Sequence, residues 1–262
     1  MTVCYTGKVM RPGKIIIGNW KMNPLTSKEA EKLFNEVAKN VTKAKKTDVV
    51  ICPPFIYLAQ LKKFSRKISL GSQDAFWGDT GAFTGEISAD MLYNLGIRYA
   101  ILGHSERRSL EDNVVINKKV KSALSAGLRP ILCVGESARD ADHGYFNLVK
   151  EQLIGCLRGV SKNSVGKVII AYEPVWAISS TPGRRDALPE DSHEMSIFIR
   201  KVLSDQFGRD ASRVKIIYGG SANERDAAEF LSRGGVDGLL IGRASLSAEK
   251  FSKIIKIAEK TK

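Results

Sequence analysis

The stretch KVIIAYEPVWAISSTPGRRDALPEDSHEMSIFIRKVLSDQF, residues 167–207, contains one complete unit of the fold. It opens with a short apolar run, residues 167–172, that is typical of a buried strand, and it ends in a segment, residues 191–207, that reads as a helix. Between them Glu173 follows the strand directly and precedes Pro-Val-Trp and a tail of Ser, Gly and Arg. A carboxylate beside Trp and Ile is poorly solvated, which costs stability. We therefore expect Glu173 to have a role that compensates for this cost.

The same strand-then-helix pattern recurs eight times along the chain. The predicted strands are Lys14–Asn19, Val49–Cys52, Ile68–Gln73, Tyr99–His104, Arg129–Val134, Lys167–Glu173, Val214–Tyr218 and Gly238–Gly242. The predicted helices are Ser27–Asn40, Ile56–Phe64, Ser88–Leu95, Asn113–Ala126, Tyr145–Leu157, Asp191–Phe207, Glu224–Ser232 and Ala248–Glu259. Several strands are too continuously apolar to have one wet face, which indicates a parallel sheet covered by helices.

Eight such units predict an α/β protein with a closed (β/α)8 barrel rather than an open sheet. No GxGxxG follows the first strand and no GxxxxGK[ST] occurs, which removes the two commonest nucleotide-binding signatures. No linker or break in composition divides the chain. We therefore predict one domain over residues 1–262, in which residues 1–13 form an extension before the first strand.

Composition narrows the class of protein. The chain has 262 residues, is 43% hydrophobic and lacks an apolar run of the roughly 18 residues that a membrane span needs. Residues 1–13 have no apolar signal-peptide core, and the four cysteines are scattered, so we expect free thiols in the cytoplasm. The formal charge of +13 suggests a nucleic-acid, membrane or anionic partner. Because the basic residues form small groups without interleaved aromatics, solvated helix faces are the favoured explanation.

Active sites of such barrels lie where the strands pass into the following loops. At those positions the sequence places Lys21 after the first strand, His104 at the end of the fourth and Glu173 at the end of the sixth. Glycine-rich turns follow the seventh and eighth strands. One lysine, one histidine and one glutamate are therefore expected to converge at one opening of the barrel, at the carboxyl ends of the strands, which we call the mouth. His143 and His193 are not at a strand end and are given no functional role.

The segments around these residues resemble the triosephosphate isomerase family. The resemblance runs in order from about Lys14 to Leu246 and is carried by Asn19-Trp-Lys-Met-Asn23, Gly81-Ala-Phe-Thr-Gly-Glu-Ile-Ser88, Gly103-His-Ser-Glu-Arg-Arg108, Pro130-Ile-Leu-Cys-Val-Gly-Glu136, Ala171-Tyr-Glu-Pro-Val-Trp-Ala-Ile178 and Tyr218-Gly-Gly-Ser221. It implies interconversion of dihydroxyacetone phosphate and glyceraldehyde 3-phosphate, in glycolysis and gluconeogenesis, without a metal or an organic cofactor.

The resemblance also implies the roles of the mouth residues. Glu173 would move a proton between two neighbouring carbons, while neutral His104, Lys21 and Asn19 would stabilise the enediolate oxygens. Glu106 would lie near Lys21 and orient its ammonium group. Closure of the segment after Glu173 would exclude water from the carboxylate and make it a stronger base.

Phosphate binding follows from the same resemblance. Backbone N–H groups are expected to meet the phosphate, and apolar side chains are expected to cover the base. The residues assigned to this part of the site are Ser179, Ser221, Gly220, Gly242 and Arg243 for the phosphate, with Ile178 and Leu240 against Glu173.

The sequence departs from the family pattern in three places. The lid after Ile178 is about three residues longer, with Ser179 in place of a glycine, Leu188 in place of a capping threonine and Arg184 or Arg185 expected to add charge near its rim. Arg243 replaces a second glycine, and the sequence does not decide whether its backbone is strained. The run after Arg108 is about two residues short, which leaves Glu111 or Asp112 as the partner of Arg107.

Loop 74–86 is long and carries Phe76, Trp77 and Phe83, which suggests a partner surface. The resemblance implies a homodimer in which Thr84 approaches Asn19 and Lys21 of the second subunit, and no nucleic-acid or membrane partner.

Two rival interpretations of the function remain: another phosphosugar enzyme, such as an aldolase or epimerase, or an inactive basic barrel scaffold. A Schiff-base aldolase would need a lysine inside a barrel strand, and none is suitably placed. A scaffold would have no need of the buried charges.

Overall fold

The computed structural model describes residues 13–41, 44–65, 67–178, 183 and 185–261. Its strands are β1 Ile15–Asn19, β2 Asp48–Cys52, β3 Ser69–Ser72, β4 Tyr99–Leu102, β5 Arg129–Val134, β6 Ile169–Tyr172, β7 Lys215–Tyr218 and β8 Gly238–Ile241. Its α-helices are α1 Ser27–Val41, α2 Phe55–Lys62, α3 Ala89–Asn94, α4 Asn113–Ala126, α5 Tyr145–Cys156, α6 Lys162–Val165, α7 Pro189–Phe207, α8 Ala227–Arg233 and α9 Ala248–Lys260.

The strands pair in sequence order, all parallel, and β8 closes on β1. The predicted (β/α)8 barrel is therefore confirmed. Strand residues alternate between two apolar environments: Ile15 and Ile17 join the cluster inside the barrel, whereas Ile16 packs outward against the helices. Because both faces are covered, the strands contain almost continuous apolar runs.

Most strands are shorter than the sequence predicted. β4 ends at Leu102 and β6 at Tyr172, so His104 and Glu173 lie just beyond their strands rather than in them. The backbone turns here into short 3-10 helices, Ser105–Arg107 and Val175–Ala177, which period-two patterns do not reveal. The short α6 was also not predicted.

Local signals set the helix starts. Ser88, Asp112 and Ser247 each accept a hydrogen bond from a first-turn N–H group. The predicted start of α7 at Asp191 was wrong by two residues. The helix begins at Pro189, where the missing N–H costs nothing, and Asp191 accepts the Leu188 N–H at 2.8 Å in place of a capping side chain.

Two global expectations can be compared with the structure. Within the described part of the chain, no helix has both the length and the apolar character that crossing a bilayer requires. Cys52, Cys133 and Cys156 are buried free thiols, and Cys4 lies outside the described residues. Burial raises the pKa of the Cys52 thiol, so it remains protonated.

Candidate active site

Loops after β1, β4, β6, β7 and β8 surround one cavity at the carboxyl ends of the strands. Asn19, Lys21, His104 and Glu173 all line it. The structure thus brings together the four residues that the sequence placed at one mouth. Glu106 borders this group through its contact with Lys21.

Glu173 is buried, with 2% of its surface exposed. Its Oε2 accepts the Ser105 N–H at 3.1 Å, and its Oε1 lies 3.3 Å from His104 Nε2. A Cβ atom at position 219 would lie 2.8 Å from Glu173 Cγ, so glycine is required there for the close approach of β7. Sequence reasoning did not identify Ser105 or Gly219 as supports of the carboxylate.

The hydrogen bonding of His104 defines its tautomer. Its Nδ1 accepts the Glu106 N–H at 3.2 Å, at the start of the 3-10 helix Ser105–Arg107. A ring nitrogen that accepts carries no proton, so the imidazole is neutral and its proton is on Nε2. The Nε2–H donor therefore points toward the mouth and Glu173.

Lys21 is held on both its backbone and its side chain. Its φ of 52° lies in the left-handed region, which is costly for lysine and is common at functional sites. Asn19 Oδ1 accepts the Lys21 N–H at 3.0 Å, and Lys21 Nζ lies 2.5 Å from Glu106 Oε1. With its Oδ1 engaged, Asn19 presents its amide NH2 group as a donor.

The same cavity is lined by the residues expected to contact the phosphate or to cover Glu173: Ile178, Gly220, Ser221, Leu240, Gly242 and Arg243. Ser179, the other residue of this set, lies outside the described residues. Arg243 begins a 3-10 helix, Arg243–Leu246, and is not among the described residues with positive φ. Its replacement of glycine therefore causes no backbone strain. The Ser221 N–H donates to Ala177 O at 3.3 Å, so a phosphate would have to displace this contact.

A buried carboxylate, Glu136, fastens the base of the lid. Its Oε1 accepts from Tyr172 OH and from Trp176 Nε1, each at 2.8 Å, and it is fully buried. Arg139 also approaches this oxygen at 3.4 Å. In the sequence Glu136 stands out only as the last residue of the motif at residues 130–136. Its position directly after β5, beside the mouth, was the available signal.

The rim charge expected from Arg184 or Arg185 stays a prediction, since Arg184 lies outside the described residues and Arg185, which is exposed, also contacts the base of the lid. The Arg185 guanidinium carbon lies 4.2 Å from the centre of the Trp176 ring, and the backbone N–H of Arg185 donates to Trp176 O at 3.1 Å. The positive charge of Arg185 therefore faces an aromatic ring at the base of the lid. Tertiary structure brings Arg185 and Trp176 together, and their spacing in the sequence does not indicate this contact.

The partner of Arg107 is Glu111, whose Oε1 lies 2.7 Å from Arg107 Nε, whereas Asp112 caps α4. The Arg107 NH2 group also contacts Asp74 at 2.9 Å, and the buried Lys119 bridges Asp74 and Glu111. This four-residue ion network supports the start of loop 74–86.

In loop 74–86 Thr84 and Phe83 are exposed, as a partner surface requires. Phe76 was expected to belong to that surface but is buried beneath Phe83.

Comparison with known proteins adds independent findings. The family model described as triosephosphate isomerase matches residues 14–258. Proteins named triosephosphate isomerase from Caldanaerobacter subterraneus, Alkaliphilus oremlandii and Aquifex aeolicus are 44%, 42% and 41% identical to the chain. Each match covers 92% of this chain and 98% of the relative.

Proposed function

The chain belongs to the triosephosphate isomerase family and has its isomerase activity, a step of glycolysis, and from this premise we propose that Glu173 is the base that moves the proton. The convergence of Glu173, His104, Lys21 and Asn19 on one cavity carries this proposal. The substrate class is the triose phosphates.

The reaction removes a proton from the carbon next to the carbonyl of dihydroxyacetone phosphate. Glu173 takes this proton, the electron pair of the C–H bond forms a C=C bond to the carbonyl carbon, and the π pair of the carbonyl passes to its oxygen to give an enediol or enediolate. Return of the proton to the neighbouring carbon, with shift of a hydroxyl proton between the two oxygens, gives glyceraldehyde 3-phosphate. One carboxylate can serve both carbons because they are adjacent.

Donors are needed where negative charge develops on the oxygens. Neutral His104 presents its Nε2–H beside Glu173, as its hydrogen bond from Glu106 N–H requires. Lys21 supplies a positive charge, and Asn19 supplies its amide NH2 group. Glu106 is a positioning residue, since it touches the Lys21 ammonium rather than the reacting atoms.

We assign the phosphate to the backbone N–H groups of the turns after β7 and β8, at Gly220, Ser221, Gly242 and Arg243. Ser179 in the lid is proposed as a further donor. Burial of Ile178 and Leu240 in the cavity wall supports their role in excluding water from Glu173. The lid closes over the phosphate about its base at Pro174–Trp176.

The test of this function is a coupled assay of purified protein with dihydroxyacetone phosphate and, separately, with glyceraldehyde 3-phosphate. We expect turnover in both directions. Absence of turnover in both would support the scaffold interpretation. The Schiff-base alternative is disfavoured because the strand lysine Lys215 contacts Gly13 O at the opposite end of the barrel. Lys21 is the one lysine among the described residues lining the cavity.

The lengthened lid gives a sharper prediction. If Arg185 acts only by stacking on Trp176, Arg185→Met removes a cation–π contact worth about 0.5–1 kcal/mol and leaves substrate binding unchanged. We therefore expect KM to remain within about twofold and the free energy of unfolding to fall by about that contact energy. Steady-state kinetics and urea unfolding measure the two quantities. A tenfold rise in KM would instead show that the charge of Arg185 contributes to substrate binding at the rim of the lid.

We also propose a homodimer. Large apolar side chains are exposed after three strands: Met22 (93%) and Leu25 (92%) in the loop after β1, Ile56 (78%) in the first turn of α2, and Phe83 in the loop after β3. These three strands are neighbours, and Tyr57 OH in α2 donates to Pro24 O in the loop after β1. Adjacent exposed apolar segments of this kind mark a protein interface. Thr84 is assigned to this surface.

Ile56→Glu is therefore expected to give monomers of 28.8 kDa where the parent protein has about twice that mass. The charged side chain cannot be buried unpaired in an interface. Sedimentation equilibrium gives the mass. The matched control is Ile197→Glu, on the exposed face of α7, which should leave the mass unchanged. A parent protein that sediments as a monomer would reject the dimer.

Two further expectations stay predictions. The continuous barrel supports one domain over residues 1–262, although residues 1–12 lie outside the described residues. A cytoplasmic location is supported by the three buried free thiols, which are typical of a reducing compartment.

A further inference from the structure

A second cavity lies at the amino ends of the strands, opposite the active site. Its volume is about 1250 Å³, and its described lining residues are all different from those of the active-site cavity. The lining includes residues directly before β2, β6, β7 and β8 and at the end of α9. We call it the floor cavity.

The floor cavity is strongly basic. Among the residues that the structure describes, eight Lys or Arg side chains and two carboxylates line it, and the cations include Lys14, Lys46, Lys167, Arg213, Lys215 and Lys260. Along the sequence the basic residues form separate small groups, which predicted solvated helix faces. The fold instead gathers these basic residues from six separate segments of the chain around one concave surface, where their fields add.

The two carboxylates are already engaged by other donors. Glu259 accepts the backbone N–H groups of Lys45, Lys46 and Thr47, at 2.8–3.1 Å. Asp237 Oδ2 accepts from Arg200 NH2 and from the Ile216 N–H, both at 2.9 Å. Both carboxylates keep their negative charge, and Arg213 also pairs with Asp210 outside the cavity lining, so the described lining retains a positive excess only partly offset by acidic groups.

Two lysines of the floor cavity, Lys14 and Lys215, donate hydrogen bonds to backbone carbonyl groups. Lys215 is buried and its Nζ donates to Gly13 O, while Lys14 Nζ donates to Val236 O at 2.9 Å. Both ammonium groups are thus hydrogen-bonded to neutral carbonyls. Burial lowers the pKa of each, and the charge of Asp237 offsets this only in part. A bound anion would stabilise both charged lysines.

We propose that the floor cavity binds a small molecule carrying a chain of phosphates. Several cations spread over this volume match several linked phosphate groups better than one phosphate, because each phosphate can accept from two or three donors. The same chain occurs in inorganic polyphosphates and in nucleoside triphosphates. This site is independent of the isomerase mechanism.

The test is isothermal titration of the full chain with inorganic tripolyphosphate at low salt. Saturating glycerol 3-phosphate is present throughout to occupy the active-site mouth. We expect one tripolyphosphate per chain, with an affinity that falls steeply with added salt. The rim variant Lys46→Gln/Lys260→Gln changes only exposed side chains and should weaken binding at least tenfold. Lys215→Gln should weaken it similarly.

The matched control is Lys121→Gln/Lys150→Gln, which removes the same charge from exposed positions on α4 and α5. It should change affinity less than twofold. Equal weakening by the control, an unaltered rim variant, or no heat from the parent protein in the presence of saturating glycerol 3-phosphate would each overturn the proposal. Should Lys215→Gln fail to fold, the rim variant decides. Equal binding of ATP assigns recognition to the phosphate chain, and tighter binding assigns part of it to the nucleoside.

Discussion

Glu173→Gln is expected to reduce kcat roughly a thousandfold, the scale of lost general-base catalysis. The amide keeps the size of the side chain and can still accept the Ser105 N–H through its oxygen. It cannot take a proton from carbon at neutral pH. KM should change little, because Glu173 does not contact the phosphate and four of the proposed phosphate donors, Gly220, Ser221, Gly242 and Arg243, lie on the turns after β7 and β8. The coupled isomerase assay measures both constants.

The matched control is Glu249→Gln, the same substitution at an exposed position on α9 whose carboxylate pairs with Lys253. It should retain full activity, and circular dichroism should show both variants folded. Equal turnover by Glu173→Gln and the parent protein would remove Glu173 from the role of base while leaving the isomerase activity in place. Loss of activity in the control as well would show a defect unrelated to the mouth.

Lys119→Met is expected to lower the free energy of unfolding by about 3–5 kcal/mol, the usual cost of breaking a buried ion pair from one side. Lys119 is 3% exposed and its Nζ contacts Asp74 and Glu111 at 2.7–2.9 Å. Methionine fills a similar volume but leaves both carboxylates without this cation. Burial already raises the pKa of Asp74, which shows the cost of its charge.

Urea unfolding at one fixed protein concentration measures this loss. Lys121→Met is the matched control, since it lies two residues further along α4 and is exposed. Its effect should remain within about 0.5 kcal/mol. A loss below about 1 kcal/mol for Lys119→Met would mean that Arg107 alone neutralises the two carboxylates.

The sequence predicted the barrel because its signal is local and repeated. Each unit has an apolar strand run and a helix with its own period, and the bounds of β5 and α4 were exact. Several other bounds shifted by one to three residues, among them the ends of β4 and β6, where the chain leaves the strand toward a 3-10 turn. The convergence of Lys21, His104 and Glu173 was also predictable, because all carboxyl ends of a closed parallel barrel meet at one mouth.

The contacts that orient those residues were decided by tertiary structure. Ser105 N–H on Glu173, Glu136 under Trp176, and Arg185 on the Trp176 ring all join loops whose relative positions no local pattern encodes. The choice of Glu111 over Asp112 for Arg107 likewise depended on where α4 begins.

The distribution of charge separates most clearly what the sequence determined from what the tertiary structure decided. The sequence alone determined that the chain carries an excess of 13 positive charges, that it repeats eight strand–helix units and that it presents an isomerase-like set of mouth residues. Only the closed barrel decided that eight of the basic side chains surround one cavity at the amino ends of the strands. The physical reason is that periodicity fixes which face of an element is buried. Which distant segments then meet depends on ring closure, which brings β8 beside β1 and α9 beside the start of β2.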